Sequence, residues 1–102
     1  MPKAYLVIET ELRDPAALAD YVWRAQAAIE AAGGRRIAPV GGNTIALVGA
    51  APKRIGITEW ESLQQALAWR ESAAFSKLAP LRNKAVKTIR VFVIEGAELA
   101  SR

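Results

Sequence analysis

The chain has 102 residues, which is the size of one domain, and its 52% hydrophobic and 24% charged content excludes a disordered chain. The net charge of +4 is spread over several predicted elements, which argues against a nucleic-acid surface. The absence of cysteine and histidine excludes disulfides, thiolate metal sites and a histidine base, so we expect no metal and no cofactor.

The first predicted strand covers Tyr5–Leu12, an apolar run rich in β-forming residues. A helix follows, because Asp14 can accept hydrogen bonds from the free amides of the first turn and Pro15 suits the first helical position. Gly33 and Gly34 end this helix. Its apolar residues recur at three- and four-residue steps and predict one buried face: Leu18, Tyr21, Val22, Ala25, Ile29 and Ala32.

Two short runs with strand character follow, Arg35–Val40 and Thr44–Val48. Residues 41–43, Gly-Gly-Asn, lie between them. They fit either a hairpin turn or a kink in one long strand, and the sequence leaves both open.

Arg54–Trp60 predicts another strand, and Ser62 with Gln65 forms a capping-box pattern that opens a second helix. Residues 72–80 predict a broken helix or turns, and Val86–Glu95 is the longest predicted strand. The second helix should bury Leu63, Ala66 and Leu67.

The order βαββαβ is that of the α+β ferredoxin-like fold, with an antiparallel sheet and two helices on one of its faces. We therefore expect a single ferredoxin-like domain over residues 1–102, with an ordered core of about residues 4–96. The N-terminus lacks a signal-peptide pattern and no apolar run is long enough to span a membrane, so we expect a cytoplasmic protein.

Both faces of the predicted sheet are apolar. Leu6 and Ile8 alternate with Tyr5 and Val7 in the first strand, and the last strand behaves in the same way, with Ile89, Val91 and Val93 opposed to Phe92 and Ile94. Two helices cover only one face, so we expect a homodimer joined through the sheet faces. A monomer with a partly apolar open face is the alternative.

Short motifs stand in a recognisable order along nearly the whole chain. They are Ala4-Tyr5-Leu6, Asp14-Pro15, Gly33-Gly34-Arg35, Glu59-Trp60-Glu61-Ser62, Ala68-Trp69 with Ser72 and Phe75 after it, and Pro80-Leu81-Arg82. They resemble a small bacterial family, domain of unknown function 1330, whose members are similar to dimeric α/β-barrel proteins. The resemblance implies face-to-face sheets and a pocket between helices and sheet. It implies no reaction, because related proteins include monooxygenases, dehalogenases, isomerases and binding modules.

Arg70 is the most informative candidate for a site, because it shares the predicted buried face of the second helix with Leu63 and Leu67. It fits an anion-binding group for a carboxylate-like ligand. The alternative is an arginine whose stem packs while its guanidinium reaches solvent or pairs with a glutamate.

Glu9 and Glu59 are the candidate acid–base residues, since neighbouring central strands would let the two carboxylates approach and raise one pKa. Ordinary ion pairs with Arg35, Arg82 or Arg90 are the alternative. Further candidate ligand-binding residues are Arg82, Arg35, Tyr5, Trp69 and Ser72. The aromatic residues fit either a pocket wall or the core, and Ser72 lacks a base that would make it a nucleophile.

These observations favour a small-molecule-binding module for a small acidic or aromatic ligand. A cofactor-free monooxygenase, isomerase or hydrolase that uses carboxylate and arginine groups is the alternative. RNA binding is weaker, because the third strand lacks paired stacking aromatic residues.

Overall fold

The protein is a four-stranded antiparallel sheet with helices packed on one face. A computed structural model describes residues 2–39 and 41–97. The elements in chain order are β1 (Ala4–Leu12), α1 (Pro15–Ala31), β2 (Arg35–Ala38), β3 (Arg54–Trp60), α2 (Leu63–Glu71), α3 (Ala73–Ser76), α4 (Ala79–Ala85) and β4 (Val86–Glu95). The strand order is β2-β3-β1-β4. This arrangement confirms the predicted α+β fold of ferredoxin-like type.

Helix α1 begins and ends as its sequence predicts. The Asp14 carboxylate accepts hydrogen bonds from the amides of Ala16 and Ala17 at 3.0 and 3.1 Å. At the other end Gly33 adopts a φ of +94°, and the amide of Gly34 donates to the carbonyl of Ile29 at 2.9 Å. Gly33 supplies the left-handed conformation that this type of helix ending requires.

Gln65 connects the end of α1 to the start of α2 through hydrogen bonds. The backbone amide of Gln65 donates to Ser62 Oγ at 3.1 Å, as the capping-box pattern predicts, while the side-chain Oε1 of Gln65 accepts from the amide of Glu61. Its Nε2 donates to the carbonyl of Ala32 at 3.2 Å. One glutamine side chain therefore satisfies backbone groups of two helix ends.

The predicted broken helix after Ser72 consists of two short helices, α3 and α4, which precede the last strand. The chain breaks at Ser72 because its φ and ψ of −77° and 156° are extended and not helical. Across the described residues no helix is both long and apolar enough to cross a membrane.

The core lies between the sheet and the helices. Trp60 is almost completely buried, with 1% of its surface exposed, and it packs with Ala4, Leu6, Ala25, Ile29, Ala66 and Trp69. Two expected core residues are exposed: Leu67, at 48%, and Ala32, at the helix end. Trp69, three residues after the buried Ala66, is 5% exposed and stacks on Trp60, so the buried face of α2 passes through Ala66 and Trp69 and not through Leu67.

The predicted strand at Thr44–Val48 is wrong. Residues 41–53 form a long connection without a strand, and in it Ile45, Leu47 and Val48 are 82%, 91% and 95% exposed. Neither the hairpin nor the kinked strand is formed, because β2 stops at Ala38 and a turn follows in which Gly41 has a φ of +76°. Val40, the expected end of the first run, lies outside the described residues.

The sheet face away from the helices is called here the open face. Paired positions share a face, so the register of β1 with its neighbours defines it as Tyr5, Val7 and Glu9 of β1, Ile55, Ile57 and Glu59 of β3, and Arg90, Phe92 and Ile94 of β4. Phe92 and Ile94 are 50% and 58% exposed. Two apolar sheet faces are thus present, as the alternation predicts, and the helices cover one of them.

Candidate functional site

A cavity of about 70 Å³ lies between the helices and the sheet. The sheet contributes its floor through β1 and β4, and α1 to α4 enclose it from the other side. Most of its walls are aliphatic or aromatic, among them Leu6, Ile8, Leu18, Val22, Trp69 and Phe75. An apolar cavity with a few polar groups is the usual form of a small-molecule site.

Two arginines reach this cavity from different helices. Arg70 lies in the last turn of α2 and Arg82 lies in α4, and both contact Phe75 of α3. The guanidinium carbons of Arg70 and Arg82 lie 4.4 and 4.2 Å from the centre of the Phe75 ring. These are cation–π distances, so the ring fixes both guanidinium groups at the edge of the cavity.

Neither arginine has an acidic partner. Within residues 2–39 and 41–97, the ion pairs involve other cations, and no Asp or Glu lines the cavity. The Nη1 atom of Arg82 is buried and has no hydrogen-bond partner among the described residues. A buried donor without a partner is costly, so this atom marks a place where an acceptor would be stabilising.

The surroundings of Arg70 oppose its positive charge. Partial burial lowers the pKa of the Arg70 guanidinium below its ordinary value, and the nearby charge of Arg82 lowers this pKa further, against a smaller opposite effect of Tyr21. Both causes reflect a positive charge that nothing in the cavity compensates.

Trp69 forms the rear wall of the cavity. It is 5% exposed, stacks on Trp60 with ring centres 5.8 Å apart, and meets the Phe75 ring edge-on at 5.6 Å. The sequence left Trp69 undecided between core and pocket. The structure places it in both, because one face of the ring packs in the core while the side chain also lines the cavity.

Ser72 does not line the cavity but holds the bend beside it. Its hydroxyl donates to the carbonyl of Trp69 at 2.7 Å and accepts from the amide of Phe75 at 3.2 Å. Both hydrogen-bonding capacities thus serve the α2–α3 junction. Ser72 orients Phe75, and through it the two arginines.

Glu59, Arg35 and Tyr5 lie together on the open face, on the other side of the sheet from the cavity. Glu59 accepts from Arg35 at 2.8 Å, and Lys3 lies 3.8 Å away. The hydrogen bond from Arg35 is the main cause that lowers the pKa of the Glu59 carboxyl below its ordinary value. A carboxylate held ionised in this way is a poor general acid near neutral pH.

Glu9 is also on the open face, where it is 7% exposed. It accepts from Arg90 Nε at 2.8 Å and from the backbone amide of Lys53 at 3.0 Å. The expectation that Glu9 and Glu59 approach each other is not met. Glu9 pairs with Ile55 in the ladder and Glu59 pairs with Tyr5, so the two carboxylates stand about 13 Å apart along the strand.

Sequence reasoning missed part of this site. It treated the aromatic residues only as a pocket wall or as core, whereas the ring of Phe75 also contacts both guanidinium groups. Arg36 was not considered at all; it lines the cavity, but its Nη1 donates to Gln26 at 2.9 Å. No spacing rule finds these contacts, because the break at Ser72 separates Arg70, Phe75 and Arg82 into three helices.

Fold and cavity together define an α+β protein of the ferredoxin-like class with a cavity between helices and sheet. The family profile described as "Domain of unknown function (DUF1330)" matches residues 3–97. The chain belongs to this family, as its motifs indicated.

Solved structures share the fold at low sequence identity. A crystal structure of a protein of unknown function from Rhodopseudomonas palustris is 17% identical, covers 95% of this chain and 84% of its own, and has a TM-score of 0.71. A solution structure of a hypothetical protein from Arabidopsis thaliana is 10% identical, with coverages of 96% and 90% and a TM-score of 0.65. A conserved protein from Methanosarcina mazei is 16% identical, with both coverages 92% and a TM-score of 0.57. No curated protein matches the chain.

Proposed function

We propose that this protein is a small-molecule-binding module. The observation that supports the proposal is the apolar cavity with two arginines at its edge and no acidic partner for either among the described residues. A cavity kept beside uncompensated charge does not help the fold, since burying unpaired charge is unfavourable. A bound molecule would supply the missing contacts.

Binding is proposed instead of catalysis because the acid–base candidates stand elsewhere. Glu9 and Glu59 lie on the open face in ion pairs with Arg90 and Arg35. In the part of the chain that the structure describes, the cavity contains no carboxylate that could accept a proton from a ligand. Arginine is always charged at working pH and therefore binds and orients groups.

A ligand screen by thermal shift tests the proposal, because a molecule that binds only the folded state raises the unfolding temperature. The variant Val22→Phe extends α1 into the cavity, so hits should lose at least about tenfold in affinity, more than 1.4 kcal/mol. Ala19→Phe is the matched control: it introduces the same phenyl ring at an exposed position of α1, and the affinity of the hits should not change. Isothermal titration calorimetry on each variant provides the measurement. A screen without hits, or hits that Val22→Phe leaves intact, would refute a ligand site here.

We also propose that two copies associate through their open faces. Phe92 and Ile94 are half exposed there, next to Val7 and Ile57. Association of two copies about a two-fold axis would bury this apolar surface against itself, which is the common way to cover such a face. Light scattering at micromolar concentration measures the mass of the assembly, and the mass of one chain would contradict the proposal.

A further inference from the structure

We infer that the ligand of the cavity is a short-chain organic monocarboxylate of about two to four carbon atoms, with its carboxylate at Arg82 and Arg70 and its alkyl chain towards α1. The inference rests on the proposed function and narrows it to one chemical class. Four features of the site support it: the geometry of the guanidinium groups, the lack of a counter-charge, the apolar walls and the size of the cavity.

Phe75 contacts both guanidinium groups through its ring, which has no hydrogen-bond acceptor of the kind that a carbonyl or carboxylate provides. In each cation–π contact the guanidinium carbon lies over the ring, at 4.4 Å for Arg70 and 4.2 Å for Arg82. The N–H donors of arginine point outward in the plane of the group, not through its face. The ring therefore holds both groups beside the cavity, and the buried Nη1 of Arg82 has no acceptor among the described residues.

The free donor that the structure identifies is Nη1 of Arg82, which is buried and unpartnered. Arg70 lies on the same ring, so the two guanidinium carbons are separated by no more than the sum of their distances to its centre. Their positive charges repel each other, and an anion beside the groups would offset this repulsion. Planar guanidinium groups can pair with both oxygens of a carboxylate through two parallel N–H···O bonds.

The aliphatic wall of the cavity favours an alkyl chain over a second charged group. Leu18 and Val22 of α1 and Ile8 of β1 line it, and none of these can hydrogen-bond through its side chain. An inorganic anion would place its remaining oxygens against these apolar walls, where they would lose their hydration without replacement. An alkyl chain gains free energy from the same contacts.

The volume limits the length of that chain. An engineered cavity of about 150 Å³ in another protein holds one benzene molecule, which has six carbon atoms. The present cavity, at about 70 Å³, has roughly half that space. Acetate, propionate and butyrate fit this limit when the carboxylate lies at the arginine edge, whereas benzoate and hexanoate exceed it.

The test is a titration followed by ¹⁵N NMR at the indole N–H of Trp69, the rear wall of the cavity. The probes are acetate, propionate, butyrate, hexanoate, benzoate, propanamide and sulfate, each as the sodium salt where charged and at constant ionic strength. We expect saturable shifts with the two- to four-carbon carboxylates and none with propanamide, which has the shape of propionate without its charge.

Arg82→Gln should weaken carboxylate binding at least about tenfold. A hydrogen bond to a charged group contributes more free energy than the amount that corresponds to a tenfold change in affinity. Arg24→Gln is the matched control: it removes the same charge from an exposed residue that pairs with Asp20 on α1. The comparison of propionate with propanamide on the unaltered protein does not depend on how either variant folds.

Equal binding of propanamide, stronger binding of sulfate, or stronger binding of benzoate or hexanoate would overturn the inference. These outcomes are distinct from failure of the proposed function. If the thermal-shift screen yields cavity ligands but the short carboxylates do not bind, the ligand class is wrong and the binding module stands. If neither experiment finds a ligand, both are wrong.

Discussion

The carboxylate of Glu59 connects the edge strand β2 to its neighbour β3 on the open face. It joins Arg35 of β2 to β3 and also lies near Lys3, ahead of β1. Its neighbours stabilise the ionised form, which is why its pKa is lowered. The residue is therefore a structural link between strands, and its charge state links the stability of the sheet to pH.

We predict that Glu59→Gln reduces stability at pH 7 and that the difference from the original protein shrinks in acid. A carboxyl with a lowered folded-state pKa stabilises the protein above its unfolded pKa, about 4.3 for glutamate, and this contribution disappears as the pH falls through the folded value. Urea midpoints at pH 7 and pH 3 measure the effect. Glu11→Gln is the control, because Glu11 only approaches Lys53 at 3.9 Å. A constant difference at both pH values would contradict the prediction.

At the scale of elements, the junction of α2 and α3 determines the geometry of the cavity edge. Ser72 ends α2 and caps the start of α3, and α3 contains Phe75. A serine N-cap satisfies an amide that the helix itself leaves unpaired. The orientation of the Phe75 ring thus depends on a side chain that does not line the cavity.

We predict that Ser72→Ala costs about 1 kcal/mol of stability, the usual effect of losing an N-cap, and also broadens the ¹⁵N signal of the Trp69 indole, which touches Phe75. Ser76→Ala is the matched control, because its hydroxyl donates to backbone carbonyls at an exposed helix end. Chemical denaturation and NMR provide the two measurements. Equal effects of the two variants would show that the cap has no special role.

The sequence predicted elements whose signals are local and missed those that depend on distant partners. Asp14, Pro15 and Gly33 mark the ends of α1 through their own backbone chemistry, and each acts as expected. Thr44–Val48 has strand-forming residues but no neighbouring strand to pair with, so propensity alone was misleading.

The same limit applies to the site. Arg70 was identified because helical periodicity places it on an inward face, and it lines the cavity. Its relation to Arg82 and Phe75 was not predictable, since it arises where three separate helices meet. The carboxylates were placed on strands correctly, but the register that separates Glu9 from Glu59 follows from pairing across the sheet.

At the scale of the whole molecule, one sheet separates two different surfaces. The helix side contains the cavity, and the open face contains an apolar centre with ion pairs at Glu9 and Glu59. If two copies join through their open faces, the cavities lie on the outer sides of the pair and remain accessible. Ligand binding and association would then use separate surfaces of the same chain.

We predict that Phe92→Asp converts the proposed dimer to a monomer, because it places an unpaired charge in the centre of an apolar interface. Light scattering after gel filtration measures the change. Trp23→Asp is the control: it introduces the same charge on α1 at a residue that is 79% exposed and should leave the mass unchanged. A dimer that persists in Phe92→Asp would place the interface elsewhere.

The two arginines beside Phe75, which form no ion pair within the described residues, also affect how the protein responds to dissolved salt. Added ions screen the repulsion between the two guanidinium groups, which favours the folded chain, and they weaken the attraction between Arg90 and Glu9 across the sheet, which disfavours it. Sodium chloride therefore has opposite effects on stability on the two sides of one sheet: it stabilises the helix side and destabilises the open face.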